Sequence, residues 1–290
     1  MRCREMGSLA GFLRLMRPLN CVMMGFAVIV GAALASGLRF PPEAWRGLLL
    51  SFLTAFALTG GAMAVNDYYD REIDAVNEPQ RPIPSGAVSP GEALLLFVLL
   101  TLLGLSTALL TSLRCLVMAA FAWSVMTLYS TRGKRTGLPG NLLVSTCVSL
   151  PFLYGALALG GDLPPSSLLF SSMAFLSNTA REVAKGIVDI EGDARGGIRT
   201  IAVAYGPRAA ALTAATLNSV AVLLSILPWL WHLVSPWYLP LVSTADVGFI
   251  ASSLWLLREP RRERAKKIKS LFLLWMGLGL LGFLAGSIRG

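Results

Sequence analysis

Long apolar runs, each broken by a short polar stretch, dominate this chain. A helix needs about 20 apolar residues to cross a hydrocarbon core. On that basis the pattern predicts spans near 20–38, 45–66, 91–111, 114–130, 140–160, 166–185, 208–230, 237–257 and 270–288. The third, fourth and fifth are interrupted by so little polar sequence that a count of eight also fits. Two connections, 67–90 and 186–207, are long and polar. Each holds an acidic cluster, then Gly or Pro with basic residues, then a Pro (Pro90, Pro207) that opens the next apolar run, so a weak internal duplication is visible. The remaining connections are short, which favours antiparallel neighbours in a bundle. The expected fold is all-α: an integral membrane bundle of about nine transmembrane helices, forming one domain over 1–290.

Composition and charge support this picture. Of the 290 residues, 55% are hydrophobic and only 14% charged, whereas a soluble domain carries roughly 25% charged residues. Of the 25 Lys and Arg residues, all but Arg39, Arg46, Arg114 and Arg289 fall on one side of the predicted membrane. Basic residues collect in cytoplasmic loops. The N-terminus is therefore expected in the cytoplasm and the C-terminus outside, with both acidic clusters facing the cytoplasm. The net charge of +9 then needs no nucleic acid. The Arg258–Lys269 run reads as a juxtamembrane segment against anionic membrane lipid. Cys3, Cys21, Cys115 and Cys147 have no metal-like spacing and suggest no disulfide framework. The first span is too long for a secretory signal and lacks a cleavage signature, so it is read as a retained helix.

Carboxylates are costly near a bilayer, and a membrane chain that concentrates them is expected to use them. The first cluster reads Asn66-Asp67-Tyr68-Tyr69-Asp70-Arg71-Glu72-Ile73-Asp74. Asn66, Asp70 and Asp74 are spaced i, i+4, i+8. A helix continuing out of the second span puts them on one slowly drifting face. Such a stripe repels itself without a cation, and on Mg2+ it leaves positions open for phosphate oxygens. A solvated helix end, with Arg71 offsetting part of the charge, is the plainer alternative.

The second cluster reads Asp189-Ile190-Glu191-Gly192-Asp193. Asp189 and Asp193 are again i, i+4, with Glu182 and Lys185 upstream on the same face and Glu191 pointing elsewhere. The alternative is an ordinary Lys–Asp surface pair, worth a few tenths of a kcal/mol. Together the clusters suggest two metal sites gripping one diphosphate, with Asn66, Asp70, Asp74, Asp189 and Asp193 as metal ligands.

Other residues complete the candidate site. In Tyr129-Ser130-Thr131-Arg132-Gly133-Lys134-Arg135, Lys134 and Arg135 are placed to neutralise a leaving diphosphate, or simply to anchor the loop. Arg81 is a further phosphate candidate, and Asp67, Glu182 and Lys185 join the substrate side. In Arg17-Pro18-Leu19-Asn20 the Pro explains a helix start, but Asn20 enters an apolar run and needs a partner. Arg17 and Asn20 are therefore added as substrate-binding candidates. Asp246 either pairs with a helix neighbour or lines the cavity. His232, between Trp231 and Trp237, reads as an interfacial belt. The Gly and Ala residues of the spans read as close helix packing.

Asn66–Asp74 fits N-D-x-x-D-x-x-x-D, Arg81–Gly86 fits R-P-[IL]-P-S-G, and Asp189–Asp193 fits a second D-x-x-x-D. With these motifs the chain resembles the UbiA-type intramembrane prenyltransferases over essentially its whole length. Arg17-Pro18-Leu19-Asn20-Cys21 and Arg181-Glu182-Val183-Ala184-Lys185 are most similar to the archaeal digeranylgeranylglyceryl phosphate synthases. The second motif there commonly runs K-D-I-E-D-[IV]-E-G-D. Gly186 and Val188 replace its first Asp and its Glu, so those two positions are left out of the metal set.

The resemblance implies a bundle around a central cavity, capped by the motifs at the cytoplasmic face of the cell membrane. It implies Asp70, Asp74, Asp189 and Asp193 as catalytic residues, with Mg2+ as cofactor. The reaction would move a geranylgeranyl group from geranylgeranyl diphosphate to a lipophilic glycerol phosphate acceptor, geranylgeranylglyceryl phosphate, forming the second ether bond of archaeal lipids. Mg2+ would assist departure of the diphosphate, with Lys134, Arg135, Arg81 and Lys185 adding to it. Tyr129 is placed to stabilise the allylic cation through its ring. C-prenylation of an aromatic acceptor such as 4-hydroxybenzoate is the alternative within the family. A cation or phosphate transporter is the alternative outside it, disfavoured because transporters bind near the midplane on broken helices.

Overall fold

In a computed structural model, residues 9–288 are described, except for the side chain of Asn77. Cys3, Arg289 and the first basic residues of the N-terminal segment lie outside that range. Among the described residues all regular structure is helical. The helices are α1 (Leu9–Met16), α2 (Pro18–Ser36), α3 (Ala44–Asn77), α4 (Pro90–Thr111), α5 (Leu113–Thr131), α6 (Leu138–Ala158), α7 (Pro165–Val188), α8 (Ile190–Arg195), α9 (Ile201–Ser225), α10 (Leu227–Leu230), α11 (Tyr238–Arg258) and α12 (Arg262–Gly286). Among the described residues eight stretches, six of them single helices over their full length, are long and apolar enough to cross a membrane. The sixth expected span, α7, is long enough but too polar along its length. Its Ser166, Ser167, Ser171, Ser177, Asn178 and Thr179 are all buried. A polar helix survives at this depth because its neighbours take up its hydroxyls and amides. Ser145 Oγ of α6 accepts from Asn178 Nδ2 (3.1 Å) and Thr179 Oγ1 (2.8 Å).

Several boundaries depart from the apolar pattern for physical reasons. The apolar part of the second span ends near 66, and α3 continues through the acidic cluster, as the i, i+4, i+8 reading expects, to Asn77, where Glu78-Pro79 stops it. Proline disfavours helical geometry in the residue before it. At 34 residues, α3 is about 51 Å long at 1.5 Å per residue. α4 starts at Pro90, as expected, with a reciprocal cap: Ser89 Oγ accepts from Glu92 N and Glu92 Oε2 accepts from Ser89 N. Pro207 opens the long helical run of α9, as expected, after a short helical turn from Ile201 that ends at the break at Gly206 (φ 87°, ψ 166°). The last span was expected from 270, but helix begins at Arg262, so most of the basic run is helical. Within that run, Arg262 Nε donates to the Val188 carbonyl (3.1 Å), and Arg264 pairs with Glu259 and lies over Trp255.

α2 to α6 form one side of the bundle, and α9, α11 and α12 gather around α7 on the other. α7, α9, α11 and α12 share one core of Ala180, Val183, Ala184, Ile187, Ala210, Ala211, Ala214, Phe249, Leu256, Ile268 and Phe272. α2 and α6 approach to backbone contact. A Cβ on Gly31 would collide with the Phe152 carbonyl, and one on Gly155 with the Val28 carbonyl. Small residues serve here as expected, allowing backbones to touch. Leucines of α4 such as Leu95, Leu99, Leu102 and Leu110 point outward, as on a lipid-facing surface.

Candidate active site

One cavity of about 550 Å³ opens within this frame. Its walls come from α2, α3, α5 and α6, with α7 contributing Glu182 and Lys185. α3 supplies a strict i, i+4 stripe of Thr54, Leu58, Ala62, Asn66 and Asp70. The stripe is apolar in its middle and acidic at one end. α5 presents Met118, Ala122, Met126 and Tyr129, and α6 presents Val144, Cys147, Pro151 and Tyr154. Charge is confined to the motif end, where Arg17, Asp70, Arg81, Lys134, Glu182 and Lys185 all line the cavity.

Local structure explains why these side chains converge. Arg17 sits between α1 and α2 with left-handed dihedrals (φ 51°, ψ 68°), an arrangement that costs a non-glycine residue about 1–3 kcal/mol. The bend is held by Arg17 N donating to Leu13 O (3.2 Å), and it aims the guanidinium at Asp67 (2.7 Å). Arg81 lies on the loop after α3. Ile83 and Val88 of that loop are buried with Leu15, Ala64 and Ala93. Gly86, at φ 77°, turns the chain where a side chain would be strained. Arg81 so held reaches Asp74 (2.7 Å), Asp67 (3.6 Å) and Glu78 (2.9 Å). Its hydrogen bond and charge hold the Glu78 carboxyl below its ordinary value.

Lys134 lies on a single 3-10 turn, Gly133–Arg135, and pairs with Asp70. Gly137 (φ 70°) lets this loop meet the Arg199 carbonyl of the other motif loop, where any Cβ would clash. Asn66 Nδ2 donates to Asp70 Oδ2 (3.0 Å), which leaves the Asn66 carbonyl oxygen available to a cation. Asp67, Asp70 and Asp74 are only 2%, 6% and 6% exposed, so their charge needs the basic partners they have.

The predicted residues divide accordingly. Arg17, Asn20, Asn66, Asp70, Arg81, Tyr129, Lys134, Glu182 and Lys185 are brought to the cavity. Asp67 and Asp74 are turned to Arg17 and Arg81 at its rim. Arg135 is exposed and outside the lining. Glu182 and Asp189 do not share one unbroken helix, because α7 ends at Val188 and Asp189 joins it to α8. Asp189 and Asp193 still stand one turn apart, with Asp193 N donating to Asp189 O (2.8 Å). Burial, then the Asp189 charge, raise the Asp193 carboxyl above its usual value. Lys185 contacts Glu182 (3.3 Å), and Arg181 holds the other Glu182 oxygen (2.7 Å).

Asp246 accepts from Ser225 Oγ (2.7 Å) and lies outside the cavity, the helix-pairing outcome. His232 is exposed in the turn before α11. The sequence reading missed Trp123, whose Nε1–H donates to Thr101 (3.1 Å), and Thr54, Cys147 and Tyr154. Extending the i, i+4 stripe of Asn66 and Asp70 backwards up α3 would have found Thr54.

The donor chemistry suits Mg2+. Asn66 and Asp70 offer hard oxygens, and the cations now on the carboxylates are those an incoming diphosphate would attract. Among the described residues no three Asp, Glu, His or Cys side chains converge as a metal cage. A Mg2+ ion here would be completed by diphosphate oxygens and water.

A model of the UbiA prenyltransferase family matches residues 24–277. The chain belongs to the UbiA prenyltransferase family. It is a prenyltransferase and a multi-pass membrane protein. This UbiA prenyltransferase is 37% identical over 287 residues to the digeranylgeranylglyceryl phosphate synthase of Korarchaeum cryptofilum, covering 98% of this chain and 99% of that one. It is 30% identical to a digeranylgeranylglyceryl phosphate synthase of solved structure, with a TM-score of 0.86 and coverage of 97% and 98%. A UbiA homologue from Archaeoglobus fulgidus, solved with GPP and Mg2+, shares the fold at 19% identity and a TM-score of 0.68, covering 94% of this chain and 99% of that one.

Proposed function

We propose that this prenyltransferase moves a geranylgeranyl group from geranylgeranyl diphosphate to the free hydroxyl of geranylgeranylglyceryl phosphate, forming the second ether bond of an archaeal lipid. The observation that carries the reading is the polarity of the cavity: apolar along its length, charged at one end only. That matches an amphiphile with a long tail and a diphosphate head. The names of full-length relatives supply the acceptor. The motif end is assigned to the cytoplasmic face of the cell membrane by the Lys and Arg distribution, and the whole chain is assigned to one membrane-embedded domain.

Asn66, Asp70 and Asp74 are assigned to one Mg2+, and Asp189 and Asp193 to a second. Bound there, Mg2+ neutralises charge that builds on the diphosphate as it leaves. Lys134, Arg81, Arg17 and Lys185 bind and orient the diphosphate oxygens, and their charges are worth most where water is scarce. Glu182, held by Arg181 and Lys185, positions Lys185 at the cavity. The C1–O bond of the donor breaks with its electron pair leaving on the diphosphate. Tyr129, which lines the cavity with Asp70, is assigned to stabilise the allylic cation through its ring. Apolar walls from Met126, Val148 and Leu58 exclude water that would quench it. The acceptor hydroxyl oxygen then bonds to C1, and its proton passes to a base, for which the released diphosphate is available.

The test is incubation of purified protein, Mg2+ and geranylgeranyl diphosphate with geranylgeranylglyceryl phosphate, and in parallel with 4-hydroxybenzoate, with products read by mass. A Mg2+-dependent diether phosphate is expected. A prenylated aromatic instead would move the enzyme to quinone chemistry.

A further inference from the structure

The cavity lining ends at Thr54 on α3, Met118 on α5 and Tyr154 on α6. From Asp70 the α3 stripe runs back through Asn66, Ala62 and Leu58 to Thr54, about 24 Å at 1.5 Å per residue. There Tyr154 of α6, 5% exposed, stands across the cavity with Thr54. Thr54 Oγ1 is hydrogen-bonded to Thr107 Oγ1 (2.8 Å). Beyond them Ala108 and Cys115, fully buried and outside the cavity lining, pack in the same cluster as Tyr154. The backbone contact of Gly155 with Val28 pins α2 to α6 beside Tyr154, so the floor cannot yield by parting the two helices. Its surface is also polar, carrying the Thr54 and Tyr154 hydroxyls. A hydrocarbon end pressed against hydroxyls displaces any water there without replacing its hydrogen bonds.

We infer that Tyr154 and Thr54 form the floor that sets the longest prenyl tail the donor site accepts. Tyr154 is the specificity-determining residue, and the small Ala55 beside Thr54 keeps the last segment wide enough for the tail. The inference rests on the proposed donor site, since it supposes that the tail lies along the stripe with its diphosphate at Asp70. Sterics stop one further isoprene unit. A few carbons in an apolar pocket discriminate by about tenfold or more.

The test measures binding and needs no acceptor. Full-length protein in detergent with Mg2+ holds radiolabelled geranylgeranyl diphosphate, which is displaced by farnesyl, geranylgeranyl and geranylfarnesyl diphosphates. Tyr154→Ala should raise the affinity for geranylfarnesyl relative to geranylgeranyl diphosphate by about tenfold. Ala55→Phe, which fills the cavity rather than emptying the core, should lower geranylgeranyl relative to farnesyl diphosphate by a similar factor. The same ranking of the three tails in wild type and in every variant that folds overturns the inference. Parallel product assays keep the two readings apart. Tail ranking that shifts without any diether phosphate sinks the acceptor assignment and supports the floor. Diether phosphate with an unshifted ranking does the reverse.

Discussion

At the residue scale, the buried carboxylates of α3 divide into two kinds. Asp70 faces the cavity, while Asp67 faces Arg17 at its rim. Asp70→Asn is expected to cut turnover by about 10²–10³-fold, the usual loss when one electrostatic contact to developing charge is removed, with an unchanged helical spectrum in detergent. Glu191→Gln, on the exposed face of α8, should keep most activity, and a loss as deep as that of Asp70→Asn would place Glu191 in the site. Asp67→Asn strands the strained Arg17 and is expected to cost about 1–3 kcal/mol, seen as a lower detergent melting temperature. Asp70 was legible in the sequence because a carboxylate stands out in an apolar chain. The Arg17–Asp67 pair was not, because a left-handed bend before Pro18 brings together residues that no local spacing relates. Tyr154 and Trp123 were invisible for the opposite reason, being aromatic residues among many apolar ones.

At the element scale, the helices were legible wherever apolar runs coincided with caps, as at Pro90, and where an acidic i, i+4 spacing carried a helix past its apolar run, as in α3. The start of α12 was not, because its first turns are charged rather than apolar. α7 was found from its apolar stretch, although its buried Ser, Asn and Thr residues leave it short of the apolarity of the other spans. The α2–α6 contact is the most demanding packing in the bundle. Gly155→Ala places a methyl group against the Val28 carbonyl and the Ala32 amide. Overpacking of this kind costs about 1–3 kcal/mol, so this variant should melt earlier than wild type. Gly161→Ala, whose added Cβ meets nothing, serves as the control.

At the scale of the whole molecule, the bundle places charge at one end of an apolar cavity on a helix about 51 Å long, against a hydrocarbon core of about 30 Å. A donor whose tail lies along α3 and whose head meets Asp70 therefore stays within the bilayer. Such an enzyme works in two dimensions. The quantity that drives it is the number of substrate molecules per unit of lipid surface, not their number per litre. Adding inert detergent or phospholipid at fixed total enzyme and substrate is expected to slow turnover in proportion to the fall in substrate mole fraction, and restoring the mole fraction should restore the rate. A rate that instead follows bulk concentration would mean that the donor arrives through water. The depth of one cavity thus decides the units in which the enzyme's affinity has meaning: surface density rather than molarity.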